Sequence, residues 1–526
     1  MTAGPVVAAA FAAAVAGEGL HPPAWLRLLG HDGPDGATPE VTDPADLGPL
    51  HERAVSAEER TQRGAWYTPV DLAAELVARA VPDVDAVRRG PVVDLACGGG
   101  VFLLAAADRL VQLGLGPAGA VDGIAGWDLD PTAVAVAEAA LWWWAARRGV
   151  EVRPSVHVGD ALLHDLGPVG AVVGNPPFLG QLRRTTTIDH HRRAALQARH
   201  GDAVQAYTDP AWLFALTAVE QVAPGGHVAL VQPQSFLAAR DAAAVRRRID
   251  ERADLVHTVV DDGTAFEAKV QVCAPVLRRR PAGASVAAND WVAALADASG
   301  IPEVRFGGSD RLGDLATVHA GFRDEYYGLV HAVEEGGPST TDLPRLVTAG
   351  GIDPCRLLGR GERFAGRRWV SPVVDTGRLT GRAARWAQVQ DGAKVLVATQ
   401  TRVLEAVADP AGTLLGSVPV LCVRPHDPAR IWHVLAALHA PAATAWLFRR
   451  SAGTALSADA CRPTASLLSA LPVPARGPRW DEAADAAQAA SEGRGSVVDV
   501  ARLADAALGL DDADRLAWWD ARRPHR

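Results

Sequence analysis

From residue 90 to about residue 295 the chain alternates short apolar runs with longer runs rich in Ala and Leu. "GPVVDLACGGG" leads into "VFLLAAADRLVQLG", and "GIAGWDLDP" leads into "TAVAVAEAALWWWAARRG". "VHVGDAL", "GAVVGNPPF", "AWLFALTAVEQVA" and "GGHVALVQPQSFL" follow. Short β-branched runs ending at glycine or acid predict buried strands, and the Ala/Leu runs predict helices. That order predicts a parallel sheet covered on both faces, an α/β doubly wound, Rossmann-like fold. The "LWWWAARR" cluster predicts helix packing in the core rather than a base-stacking platform. Residues 1–60 read as a separate helical segment broken by "HPPAW" and "HDGPDGATPE". After residue 300 short runs such as "KVLVAT" and "SVPVLCVRP" mix with turns and helices. The expected organisation is a helical segment at 1–60, the α/β domain at 61–295, a mixed α+β domain at 300–475 and a helical tail at 476–526. No internal repeat is visible.

Composition adds limits. A chain of 526 residues exceeds one core and predicts two or three domains. With 48% hydrophobic and 21% charged residues it reads as a soluble globular protein. Cys97, Cys273, Cys355, Cys422 and Cys461 are scattered and odd in number, which argues against a disulfide framework or a zinc site and for a reducing cytoplasm. The N-terminal apolar run has no Lys or Arg before Arg27 and is too short to span a bilayer, so it reads as a packed helix, not an export signal. No other segment is apolar for long enough to cross a membrane. A net charge of −9 gives no global support for nucleic-acid binding, so any such contact needs a local basic surface.

Candidate chemistry gathers where the expected strands end. "VVDLACGGGVF" is a strand, a glycine turn and a helix, the place where a doubly wound sheet binds ligands. The spacing is not that of a dinucleotide fingerprint, and Asp94 sits before the glycines, where it suits the ammonium of an amino-acid-like ligand. The next expected strand ends at Asp128, placed for ribose hydroxyls. The one after ends at Asp160, placed to accept from an adenine amino group. Each acid alone is as readily a helix cap. Together they suit S-adenosylmethionine, which carries an ammonium, a ribose diol and an adenine.

"GNPPF" completes the set. An exocyclic amine on adenine is a poor nucleophile because its lone pair is delocalised into the ring. The Asn175 side-chain oxygen and the Pro176 carbonyl suit its two hydrogens, Pro177 stiffens the turn, and Phe178 suits stacking on the base. Such catalysis works by positioning and electrostatics, without a metal.

"NPPF" after "DLACGGGVF", preceded by "RGAWYTPVDLAAELV", resembles the gamma class of N6-adenine DNA methyltransferases, the TaqI-like and type IIG modification methylases. The resemblance covers roughly residues 50 to 280. It implies a Rossmann-like methyltransferase sheet followed by a target-recognition domain. It implies that Tyr67, Thr68 and Pro69 help to hold the methionine end of S-adenosylmethionine. It also implies cofactor contacts from Asp94, Ala96, Cys97, Gly98, Gly100, Asp128, Asp160 and Ala161, catalysis by Asn175, Pro176, Pro177 and Phe178, and stacking on a flipped base by Phe266. "SAGTALSADACRPTASLLSALPVP" is similar, more diffusely, to the specificity domains of the same enzymes. Two features depart from the family. Asp94 and Asp128 are 34 residues apart, with "GLGPAGAVDGIAG" looking inserted, and Ala161 stands where some relatives carry an aromatic residue.

The tetrapeptide alone leaves the substrate open, because methyltransferases acting on RNA or on protein glutamine use similar ones. A catalytically silent DNA-binding specificity subunit is a further alternative. The Tyr-Thr-Pro segment and the large extra domain favour double-stranded DNA, with a flipped adenine. From 351 to 390 eight arginines face Asp353, Glu362 and Asp375, a local charge of about +5, which suits phosphates and guanine edges. Arg360, Arg363, Arg367 and Arg368 are the candidates. A stand-alone modification enzyme implies a separately encoded restriction or defence nuclease as partner. Glu267-x-Lys269 is only loosely like a nuclease core, and His190–His191 reads as a polar loop.

Overall fold

The computed structural model describes residues 3–26, 39–55, 68–178, 190–205, 208–260, 271–286, 288–308, 310–359, 361–453 and 460–524. The chain divides into two compact units, Met1–Ala294 and Leu295–Arg526.

The first unit is built on one sheet. Its strands are β1 (Val92–Asp94), β2 (Ile124–Asp128), β3 (Ser155–Val158), β4 (Val169–Gly174), β5 (Val222–Leu230), β6 (Gln232–Pro233), β7 (Ala253–Val260) and β8 (Val272–Arg279). Their spatial order is β3-β2-β1-β4-β5-β8-β6, with β7 also paired to β8. The pairs from β3 through β5 are parallel, and β8 runs antiparallel to β5, β6 and β7. β1 and β4 are buried at every position, as strands covered on both faces must be. The chain steps from β1 to β2 on one side while β4 lies on the other. This reversal opens a crevice beyond the strand ends, the usual ligand site of such sheets.

Helices Val101–Gln112 and Pro131–Ala146 follow β1 and β2. The second has Pro131 in its first turn and Asp130 as cap, accepting from the Thr132 amide at 2.8 Å. Its residues 133–145 are all buried, because further chain covers its outer side. Phe11, on the Ala3–Gly17 helix, meets Trp142 and Trp143 edge-on at 6.1 Å. The Trp143 indole donates to Glu18 at 3.0 Å, and Arg147 pairs with Glu18 and Asp43. The three tryptophans are therefore core, Trp142 and Trp143 against the N-terminal helix and Trp144 donating to Asp108 of the Val101–Gln112 helix at 2.8 Å. The segment between Asp94 and Asp128 that looks inserted contributes a short helix, Pro117–Asp122.

The second unit is mixed α+β. One sheet orders Ala406–Asp409, Lys394–Val397, Leu421–Pro425 and Ala316–Ala320, all antiparallel. Another orders Val333–Glu335, Pro372–Val374, Arg345–Val347 and Leu414–Gly416. The Lys394 ammonium is wholly buried against Asp409 at 2.6 Å, and Asp409 also accepts from the Thr413 and Leu414 amides, pinning the turn between strands. Residues beyond 476 pack into this unit. The Trp480 indole donates to the His433 carbonyl at 3.1 Å, and Asp505 accepts from the Ala442 amide at 2.9 Å. The architecture is that expected from the strand and helix pattern, an α/β sheet followed by an α+β unit. No single described helix is long and apolar enough to cross a membrane.

Candidate active site

A cavity of about 600 Å³ opens at the carboxyl ends of β1 to β4 in the first unit. Asp94 ends β1, and the chain turns through Leu95–Gly100 into the Val101–Gln112 helix. That turn is fastened to β2 rather than left to its glycines. The Cys97 amide donates to the Trp127 carbonyl at 2.8 Å, and the Gly98 amide to Asp128 Oδ2 at 2.9 Å. Asp128 Oδ1 accepts from the Asp130 amide at 2.8 Å.

Asp94 is 1% exposed. Its Oδ1 accepts from the Ala96 amide at 3.0 Å. Burial pushes its carboxyl up to about 8, the Ala96 amide opposes this, and the charge of Asp128 adds to it. Burial also raises Asp128, against the amides of Asp130 and Gly98. Gly174, the last residue of β4, has φ +146°, and a Cβ there would lie 2.5 Å from Asp94 Oδ1. Only glycine lets β4 end against that carboxyl.

Asn175 follows at once. Its Nδ2 donates to Thr68 Oγ1 at 3.0 Å, and both residues line the cavity. Thr68 therefore orients the amide, a role beyond the cofactor contact expected from sequence. Asp160, after β3, also lines the cavity and is held by Arg192, with Nε to Oδ2 at 2.7 Å and Nη2 to Oδ1 at 3.2 Å.

Of the residues singled out in the sequence, the structure brings Thr68, Asp94, Ala96, Cys97, Gly98, Asp128, Asp160, Ala161, Asn175 and Pro177 to this one cavity. Gly100 caps the helix after the turn, and Pro69 caps the Val70–Ala80 helix; neither is in the lining. Pro176 is not in it either. Phe178 is also outside the lining. It is 5% exposed and packs in the hydrophobic core of the unit. Tyr67, Phe266, Glu267, Lys269 and Arg360 lie outside the described residues.

The pattern-based reading missed one wall. Ala45, Gly48, Pro49, His51, Glu52 and Val55 line the cavity from in and around the Leu47–Ala54 helix. Gly48 and Gly99 pass backbone to backbone, so that a Cβ on Gly99 would lie 2.4 Å from Gly48 Cα. The local signal was slight: Asp43 and Asp46 form a capping box around Pro44, which marks a helix start but no ligand. Arg192 was missed too, since nothing in "DHHRRAAL" says which arginine faces inward.

In the second unit, strands Glu362–Phe364 and Arg367–Trp369 form a hairpin. Its turn residues Ala365 and Gly366 have φ of +50° and +75°, as a two-residue hairpin turn requires. Arg363 and Arg368 are directly opposed and exposed, and neither forms an ion pair among the described residues. Arg367 lies over the Trp369 ring at 4.1 Å. Other arginines of the basic stretch are engaged: Arg378 with Glu334 and Asp375, Arg382 with Asp324.

Residues 50–287 match the model of the N-6 DNA Methylase family. Among solved structures, the chain is similar to the type IIL restriction-modification enzyme MmeI in complex with DNA, at 14% identity and a TM-score of 0.55, over 94% of this chain and 82% of that one. The type IIG restriction endonuclease BpuSI matches at 10% identity and a TM-score of 0.43, over 97% and 78%. The M protein of the type I restriction enzyme EcoKI matches at 16% identity and a TM-score of 0.32, over 47% and 53%. No curated protein matches the chain.

Proposed function

We propose that this protein, whose residues 50–287 match the model of the N-6 DNA Methylase family, is a site-specific DNA methyltransferase acting on the N6 amine of a flipped adenine, with S-adenosylmethionine as methyl donor. The observation that carries the proposal is the meeting of Asn175, braced by Thr68, with Asp94, Asp128 and Asp160 in one cavity.

The residues present fit that donor. The cavity volume lies within the range of small-molecule sites. Asp94 is a desolvated acid that lacks a cationic partner among the described residues, and an ammonium is the group that would let it ionise there. We assign Asp128 to the ribose hydroxyls and Asp160 to the adenine amino group, since both line the cavity. When bound, S-adenosylmethionine supplies a methyl group on a positively charged sulfur. The chain's own task is to hold the acceptor amine in line and to disfavour its conjugation with the ring. With its NH₂ turned to Thr68, the Asn175 amide presents oxygen rather than nitrogen to an amine. The Pro176 carbonyl is the second acceptor. Asn175 and the Pro176 carbonyl would hold the amine with its lone pair toward the methyl group that a donor seated by Asp94, Asp128 and Asp160 would supply, and the proton the amine sheds would pass to solvent.

We assign the second unit to target recognition, with Arg363, Arg367 and Arg368 on the hairpin as DNA contacts. Directly opposed like charges destabilise a hairpin unless an anion lies between them, and a phosphate backbone supplies one. The reading places the enzyme in restriction-modification, with a separately encoded nuclease, and so in phage defence.

Incubation with labelled S-adenosylmethionine and unmethylated DNA, followed by nucleoside analysis, tests the proposal. N6-methyladenine is expected. Label in RNA or protein with none in any DNA refutes the DNA reading, and no transfer with intact DNA binding points to a silent specificity subunit.

A further inference from the structure

The acid after β3 is not free to turn. Asp160 Oδ1 accepts from Arg192 Nη2 and from the Leu162 amide, both at 3.2 Å, and Oδ2 accepts from Arg192 Nε at 2.7 Å. Arg192 sits in the first turn of the His190–His200 helix. Seven residues on, Arg199 donates to the Leu162 and His164 carbonyls at 2.8 and 3.0 Å. One face of that helix is thus fastened along the turn that carries Asp160. Both partners of the pair are partly buried, with side-chain exposures of 29% for Arg192 and 15% for Asp160, and both line the cavity.

A carboxylate has about four acceptor sites, and the donors named occupy three. What it offers a ligand is one further acceptor site in a fixed direction. An exocyclic amine donates to such a site. A 6-oxo purine presents a carbonyl there, oxygen against oxygen. We propose that Arg192 is a positioning residue that holds Asp160 as an oriented acceptor and so selects a 6-amino over a 6-oxo purine in the methyl donor. The inference deepens the methyl-donor reading given above and rests on it. The guanidinium's fork, more than its charge, does this, because two parallel N–H groups fix the plane of the carboxylate.

The test needs no methyl transfer. Affinities of S-adenosylhomocysteine and its deaminated 6-oxo counterpart are measured by calorimetry on the full chain. The wild-type protein is expected to prefer the amino form by about tenfold or more. Arg192→Ala should bring that preference to within about threefold by weakening the amino form, and Arg192→Lys should restore it only in part. Arg199→Ala, which loosens the same helix without touching Asp160, should keep the preference. An unchanged preference in Arg192→Ala, or an equal loss in Arg199→Ala, overturns the positioning role while leaving the methyl-donor reading intact. If the wild-type protein binds neither compound, the methyl-donor reading itself falls.

Discussion

Asp94→Asn separates what the buried acid does for the fold from what it does for the ligand. The folded protein holds the Asp94 proton to about pH 8, whereas an unperturbed aspartate releases it near 3.8. Between those values the native state binds more protons than the unfolded chain, so stability falls as pH rises from about 4 to about 8. The gap of about four pKa units leaves the native state at pH 7 roughly 4 kcal/mol less stable than with a neutral side chain at that place. Asparagine keeps the shape and an oxygen for the Ala96 amide. The variant without ligand should therefore gain stability at pH 7, by up to about 4 kcal/mol, and gain little at pH 4. Binding of S-adenosylhomocysteine should move the opposite way. An ammonium seated on Asp94 needs the carboxylate, so wild-type affinity should rise by up to about tenfold per pH unit from 6 to 8, with proton release. The variant should bind weakly and without that slope. Urea unfolding at several pH values and calorimetry in two buffers measure both arms. A variant no more stable than wild type at pH 7, together with wild-type affinity flat from pH 6 to 8, would refute the reasoning.

Other perturbations follow from the same geometry. Asn175→Ala should lower methyl transfer about 100-fold or more while S-adenosylhomocysteine binding stays within about twofold; Thr68→Val, which removes the group orienting the amide, should lower the single-turnover rate by about tenfold. Gly99→Ala should destabilise the first unit by about 1–3 kcal/mol in thermal or urea unfolding, because its Cβ would lie 2.4 Å from Gly48 Cα. Gly48→Ala, whose Cβ would meet Gly99 at 3.6 Å, should be tolerated. Arg363→Ala and Arg368→Ala should each weaken DNA binding and flatten its dependence on log salt by about 0.9 for each phosphate no longer neutralised. Equal salt slopes for wild type and both variants would remove the hairpin from the interface.

Much of this was legible before any coordinates. The parallel sheet followed from apolar runs too short for helices, separated by Ala/Leu runs too long for strands. The strand-end acids and the turn at Asn175 were visible because chemistry at a sheet's edge sits next to a strand in the sequence, so a local pattern points at a spatial site. What stayed hidden was what reaches the site from afar. Gly48 and His51 precede β1 by some 40 residues, and Arg192 follows β3 by more than 30. Which face of a helix turns inward is settled by what it packs against. The sequence by itself determined the order of strands and helices and the residue types at each strand end, because propensity and patterning are local. Only the tertiary structure decided that the Leu47–Ala54 helix walls the cavity, that Thr68 turns Asn175 and that Arg192 holds Asp160, because those depend on groups made neighbours by burial of a common core.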